Sequence, residues 1–108
     1  MAVKTAVFEA LGDPIRARIV ELLAERDLEA GTIASRFDVS RPAVSRHLRV
    51  LREAGVVTSR GEATKRVYSL RPESLIELIT WTERLRRRTE RRLDALGKHL
   101  DVMKRKGR

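Results

Sequence analysis

The stretch "SRPAVSRHLRVLREAGVV", from Ser40 to Val57, gathers Arg41, Arg46, Arg49 and Arg52 beside Ser40, Ser45 and His47. A guanidinium is a permanently charged planar fork of N–H donors, suited to paired acceptors such as a guanine edge or phosphate oxygens. Serine can bond to several bases, and histidine can donate or accept. The spacing decides where these groups point. At about 100° per residue, Val44, Leu48, Leu51 and Gly55 fall in one narrow sector. Pro42, Arg46, Arg49 and Glu53 point away from it. Ser45 and Arg52 lie on one shoulder, Ala43 and His47 on the other. One helix thus has an apolar face for a core and a cationic face for an anion. The plain alternative is a solvated arginine face, which many helices carry.

Other chemistry is sparse. His47 and His99 are the two histidines, and neither has a nucleophile or an acid placed near it by sequence. No glycine-rich phosphate loop occurs. An enzyme is not expected. The chain has no cysteine, which removes disulfides, thiolate metal sites and thiol redox sensing. No cofactor is expected. Lys and Arg number 24 against 15 Asp and Glu, a net charge of +9. The excess is uneven: residues 1–40 carry a net of −2, residues 41–71 +6 and residues 72–108 +5. It begins at Arg41, and it favours an anionic partner.

The surrounding elements must hold that helix. The 108 residues suit a single domain, 42% hydrophobic and so able to form a core. Val3, Ala6, Val7, Ala10 and Leu11 recur at helical spacing, and Gly12 ends that helix. Asp13 reads as an N-cap with Pro14 at the first helical position, opening a second helix to about Glu25 with Ile15, Ile19, Leu22 and Leu23 on one face. Ala30 and Gly31 break the pattern, and Thr32 is expected to cap a short helix, Ile33 to about Phe37. Ser40 caps the arginine helix, Pro42 lies in its first turn and Gly55 ends it. Two strand-like runs follow, Val56–Arg60 and Lys65–Leu70, joined by a tip at Gly61–Thr64, with Gly61 permitting the turn. Tyr68 and Leu70 should pack inward. Pro72 closes the hairpin, and Ser74 with Glu77 fits a capping box for a long last helix whose tail, 104–108, frays.

Two helices joined by the tight turn "FDVS" form a helix-turn-helix, whose second helix lies in the DNA major groove. Its N-terminal half offers Arg41, Ser45, Arg46 and His47 to base edges, while Arg49 and Arg52 suit phosphates. Arg60, Lys65 and Arg66 flank the hairpin tip, as in a wing that contacts a minor groove or flanking phosphates. The expected fold is mainly α with a small β-hairpin. It is a winged helix-turn-helix within one domain, 1–108, in which 32–55 is the helix-turn-helix and 56–71 the wing. The first helix and 74–106 are assigned to dimerisation.

The last assignment rests on length. A continuous helix from Ser74 to Lys106 would run about 50 Å at ~1.5 Å per residue, whereas a ~100-residue domain has a radius of gyration near 13 Å. Yet Leu75, Leu78, Ile79, Thr82, Leu85, Thr89, Leu93, Leu96, Leu100 and Met103 keep one stripe almost to the end. A second copy of the chain is the simplest cover. The expected interface comprises Val7, Leu11, Leu78, Trp81, Leu85, Leu93, Leu96 and Leu100. Trp81 should pack against the first helix. Arg84, Arg86, Arg87, Arg88, Arg91 and Arg92 line the other faces, solvated or against flanking DNA.

Three segments, "FEALGDPIRARIVELLAE", "SRPAVSRHLRVLREAGVV" and "ATKRVYSL", together resemble the ArsR family of winged-helix bacterial repressors over residues 5–70. Ser45-Arg46-His47-Leu48 with Leu51, Ala54 and Gly55 matches the family's recognition-helix motif. The resemblance implies a homodimer that binds an inverted repeat in promoters and blocks transcription, released by some ligand, often a metal. Here the chain departs from many members. Those sensing arsenic, cadmium or lead use cysteine pairs near the third helix, and "LEAGTIASRF" has none. Others hold zinc between the last helices with Asp, His and Glu. His99 has neither Asp94 nor Asp101 three or four residues away, so it reads as a surface or interface residue. The segment "LITWTERLRRRTERRLDALGKHLD" resembles the last helix of metal-free members. No metal site is expected, and no small-molecule effector is assigned.

The partners expected are therefore double-stranded DNA and a second copy. A non-specific architectural or RNA-binding protein is a weaker reading, because the four aromatics form no base-stacking pairs on a strand. A winged helix that binds only protein would show no salt-dependent DNA affinity. No apolar run approaches membrane-spanning length and no signal-peptide pattern is present, so a cytoplasmic protein with no membrane contact is expected.

Overall fold

The structure is a computed structural model that describes residues 4–106; of the side chains, those of residues 93, 100–102 and 104–106 lie outside the described set. The expected roles of Val3, Leu93 and Leu100 fall there. The elements are α1 (Thr5–Leu11), α2 (Pro14–Glu25), β1 (Leu28–Glu29), α3 (Ala30–Ala34), α4 (Arg41–Glu53), β2 (Val57–Glu62), β3 (Lys65–Leu70), a 3₁₀ turn (Pro72–Leu75), α5 (Ile76–Arg88) and α6 (Glu90–Lys106). A mainly helical chain thus carries one small antiparallel sheet.

The helix starts behave largely as their sequences dictate. Asp13 Oδ1 accepts the amide N–H groups of Ile15 and Arg16 at 2.8 and 3.2 Å, and Pro14 occupies the first turn of α2. Ser40 Oγ accepts the Ala43 amide at 3.2 Å, capping α4. At the far end of α4 the Val56 N–H donates to Leu51 O and the Gly55 N–H to Arg52 O, with Gly55 at φ +79°. That pairing is the Schellman stop, which needs a left-handed residue and so a glycine.

Val7, Ala10, Ile19, Leu23, Ile33, Val44, Leu48, Leu51, Val56, Val57 and Tyr68 form one buried cluster. Every helix from α1 to α4 and both hairpin strands contribute to it, so the helix-turn-helix and the wing share one core. Tyr68 is buried and Leu70 packs against the cluster, as their inward alternation requires.

Four local features differ from the sequence reading. First, α3 begins at Ala30, directly after Glu29, and Thr32 caps nothing. The cause is β1, a two-residue strand whose Leu28 and Glu29 pair with Tyr68 and Val67, so the sheet has three strands in the order β1-β3-β2. Second, Glu62 pairs with Lys65, so the hairpin turn is Ala63-Thr64 alone, and the left-handed residue is Ala63 at φ +55°. Gly61 lies within β2, opposite Arg66. Third, Ser74 caps no helix. Its hydroxyl donates to Arg71 O at 2.6 Å, within the 3₁₀ turn that precedes α5.

Fourth, the long last helix is two helices. Thr89 sits between them at φ −110°, ψ 9°, and its hydroxyl donates to Leu85 O at 2.8 Å. The same hydroxyl bond from Thr82 to Leu78 O at 2.7 Å leaves α5 unbroken, so the bond accompanies the break and does not by itself explain it. Helix α6 is described to Lys106. Together α5 and α6 still extend the molecule. The radius of gyration is 18.3 Å and the extents are 58 × 39 × 21 Å, against ~13 Å expected for a compact chain of this length. Among the described residues no helix is long and apolar enough to cross a membrane.

Candidate nucleic-acid interface

Helix α4 is seated by Val44, Leu48 and Leu51, each at most 2% exposed. That anchoring turns the opposite face to solvent. Arg41, Ser45, Arg46, Arg49 and Arg52 are all exposed, and among the described residues no carboxylate pairs with any of the four arginines. Arg41 stands at the start of α4, close to α3. A Cβ built on Gly31 would lie 3.3 Å from its guanidinium. The glycine that seemed to break a helix therefore makes room for a cation.

His47 differs from its neighbours. It is only partly exposed, and its Nδ1 lies 3.1 Å from Arg16 Nη1 and 4.0 Å from Asp13 Oδ1. Expected at base edges, it makes these contacts with the start of α2 through Nδ1. Burial alone would raise the Asp13 carboxyl. The amide bonds from Arg16 and Ile15 and the charge of Arg16 outweigh burial and hold it below its ordinary value. Asp13 is thus an ionised cap as well as a neighbour of the recognition helix. Sequence alone marked it only as a cap, and the contact between Arg16 and His47 spans 31 positions, beyond any local pattern.

The wing cations separate into three kinds. Arg60 is committed internally. Its Nε donates to Glu62 at 3.0 Å, and its Nη1 donates to Asp27 at 3.0 Å and to Ser69 Oγ at 2.9 Å. The Arg60 bond, then that from Ser69, keeps the Asp27 carboxyl below its usual value. Arg60, expected on DNA, also brackets the wing to the segment before β1. Lys65 pairs loosely with Glu29 at 3.5 Å. Arg66 has no carboxylate among the described residues and only a 3.5 Å contact with Ser59 Oγ. With Arg41, Lys65, Gly31 and Thr64 it lines a cleft between the wing and the start of α4.

The residues expected at a dimer contact also divide. Val7 is 5% exposed inside the protomer's own core, so it has little surface for a partner. The α1 residue that reaches outward is Phe8, which meets Trp81 edge-on with ring centroids 5.5 Å apart. That contact matches the expected packing of Trp81 on the first helix. Leu11 and Leu78 are half-buried, while Leu85 and Leu96 are 45% and 53% exposed. Sequence reasoning missed Phe8, which falls off the apolar face that buries Val7 and Ala10.

Comparison with known proteins places this geometry among regulators. The profile described as "Bacterial regulatory protein, arsR family" matches residues 13–59, which run from the α2 cap into β2. The transcriptional repressor SdpR of Bacillus subtilis is 39% identical over 75 residues, covering 69% of this chain and 83% of that protein. The HTH-type transcriptional regulator Rv2034 of Mycobacterium tuberculosis is 46% identical over 83 residues, with 72% and 78% covered. Among solved structures, an ArsR-like transcriptional regulator from Rhodococcus superposes with a TM-score of 0.66 at 32% identity, covering 86% of this chain and 88% of that one.

Proposed function

Because this chain belongs to the ArsR family of bacterial regulatory proteins, and is therefore a DNA-binding transcriptional regulator and not an enzyme, we propose that it represses transcription as a homodimer bound to an inverted-repeat operator. The observation that carries this reading is the exposed arginine face, without a carboxylate partner among the described residues, of a helix whose other face is locked into the core. Arg41, Ser45 and Arg46, near the Ser40 cap, reach base edges in the major groove. Ser40 caps that same N-terminal end of the helix. Arg49 and Arg52, further along, meet phosphates. Arg66 and Lys65 on the wing grip the flanking backbone or minor groove.

Dimerisation is supported by the apolar residues that α5 and α6 leave in water. Ile76, Ile79, Trp81, Leu85, Leu96 and Met103 are each at least 40% exposed, more than one chain covers by itself. A two-fold pair along these helices presents two copies of α4, and half-sites about one helical turn of DNA apart (~34–36 Å) follow from that symmetry. The test is selection of bound sequences from random duplex DNA. An inverted repeat with fixed half-site spacing is the expected outcome. Recovery of unrelated sequences held only by salt-sensitive affinity would reject a sequence-reading dimer.

A further inference from the structure

Arg16 makes three directional contacts at once. Its Nε donates to Ala10 O at 2.7 Å, its Nη2 donates to Glu9 O at 3.1 Å, and its Nη1 lies 3.1 Å from His47 Nδ1. The two carbonyls belong to the last turn of α1, which carries partial negative charge, and Glu9 O also accepts the Gly12 amide at 3.2 Å. One half-buried cation in α2 therefore joins the end of α1 to the middle of α4. A guanidinium only donates. His47 Nδ1 must then be the acceptor, which leaves the ring neutral with its proton on Nε2.

Resting on the DNA-reading role assigned to α4 above, we propose that Arg16 is a positioning residue: it fixes the pose of the recognition helix through neutral His47, and acidification releases that hold. Protonation places a hydrogen on Nδ1, where it faces an Arg16 donor. The bond breaks and two cations are left at contact distance. The same hydrogen can turn to Asp13 Oδ1, 4.0 Å away. That oxygen already accepts the Ile15 and Arg16 amides, so a charged His47 draws on the cap of α2. The ring exchanges Arg16 for Asp13, and α4 shifts with it.

Charges on the other packed elements leave this exchange to Asp13 and Arg16. From α1, Glu9 lies beside Val50 and Glu53 of α4, a turn from His47. Helix α3 has no titratable side chain. On β2, Arg60 and Glu62 bond to each other. Within α4, the positions three and four residues from His47 are Ala43, Val44, Val50 and Leu51.

The test compares the ratio of operator to random-duplex affinity at about pH 8 and about pH 5.5. Taking the ratio cancels the general attraction that an added positive charge brings to any DNA. Wild type should lose about tenfold in the ratio on acidification, the size of one charge-assisted hydrogen bond. His47→Asn keeps an acceptor near the Nδ1 position and cannot be protonated, so its ratio should stay flat. Arg16→Met should be low at both pH values, and Arg16→Lys, which cannot span three acceptors, intermediate. A double-mutant cycle of Arg16→Lys and His47→Ala by urea unfolding, without DNA, should give a coupling that disappears at the lower pH. A flat wild-type ratio, a His47→Asn variant that keeps the wild-type slope, or zero coupling each overturns the proposal. Failure of the DNA-reading role itself would appear separately, as wild type that does not discriminate operator from random DNA at pH 8.

Discussion

Arg46 and Arg66 carry the same guanidinium but meet different surroundings. Arg46 stands on a helix fixed by three buried side chains, opposite the core. Arg66 stands beside a two-residue turn at the end of a ribbon. On the proposed function, the first discriminates and the second attracts. Arg46→Ala should weaken operator binding by about tenfold or more, given ~1–3 kcal/mol for a bidentate base contact, and lower random-duplex binding much less. Arg66→Ala should lower both by similar factors and reduce the salt slope by about one unit for each phosphate left without its cation. Titrations of both duplexes at two salt concentrations check the pair of predictions. Equal losses for Arg46→Ala would make it a phosphate ligand and move base reading to Arg41 and Ser45. Much of this arginine face was legible from spacing alone, because a helix of known phase converts residue number into direction. The fates of Arg60 and His47 were not. Both depend on acids or bases supplied by segments far away in sequence, Asp27 in one case and the Asp13–Arg16 pair in the other.

Among the elements, those with caps and periodicity were readable. Asp13, Ser40 and Gly55 each perform the local role their residue type dictates. The misplaced boundaries share a cause. At β1 two residues are too few to show alternation, and pairing with β3 sets where α3 starts. At Ser74 the hydroxyl bonds backward to Arg71 O in place of capping forward. At Thr89 the helix breaks inside an uninterrupted apolar stripe, which carries no local stop signal. The hairpin turn shows the same override in the backbone. Ala63 holds φ +55° where the ribbon needs a left-handed residue, and a left-handed non-glycine residue costs roughly 1–2 kcal/mol. Ala63→Gly relieves that strain, though glycine also gains entropy in the unfolded chain. The expected net result is a stabilisation of about 0.5–1 kcal/mol, read as a raised urea midpoint with unchanged slope. A lowered midpoint would show that the ribbon holds Ala63 without strain.

At the scale of the molecule, the shape itself argues for a partner. A chain whose radius of gyration is 18.3 Å has placed apolar side chains beyond the reach of its own core. Leu85→Glu with Leu96→Glu should dissociate the proposed dimer at micromolar concentration and reduce operator affinity at least about a hundredfold, since two half-sites are no longer held jointly. Light scattering and the same duplex titration measure the two effects, and a dimer that survives the charges would locate the interface elsewhere. The third strand has a different bearing on the whole. With β1 paired to β3 and Arg60 fastened to Asp27, the ribbon is tied to α2 and α3 before any duplex arrives. Its conformational entropy is surrendered during folding and not at docking. On the proposed function, the gap between α4 and the wing is then a preset caliper, its jaw width set by strand pairing and not by DNA.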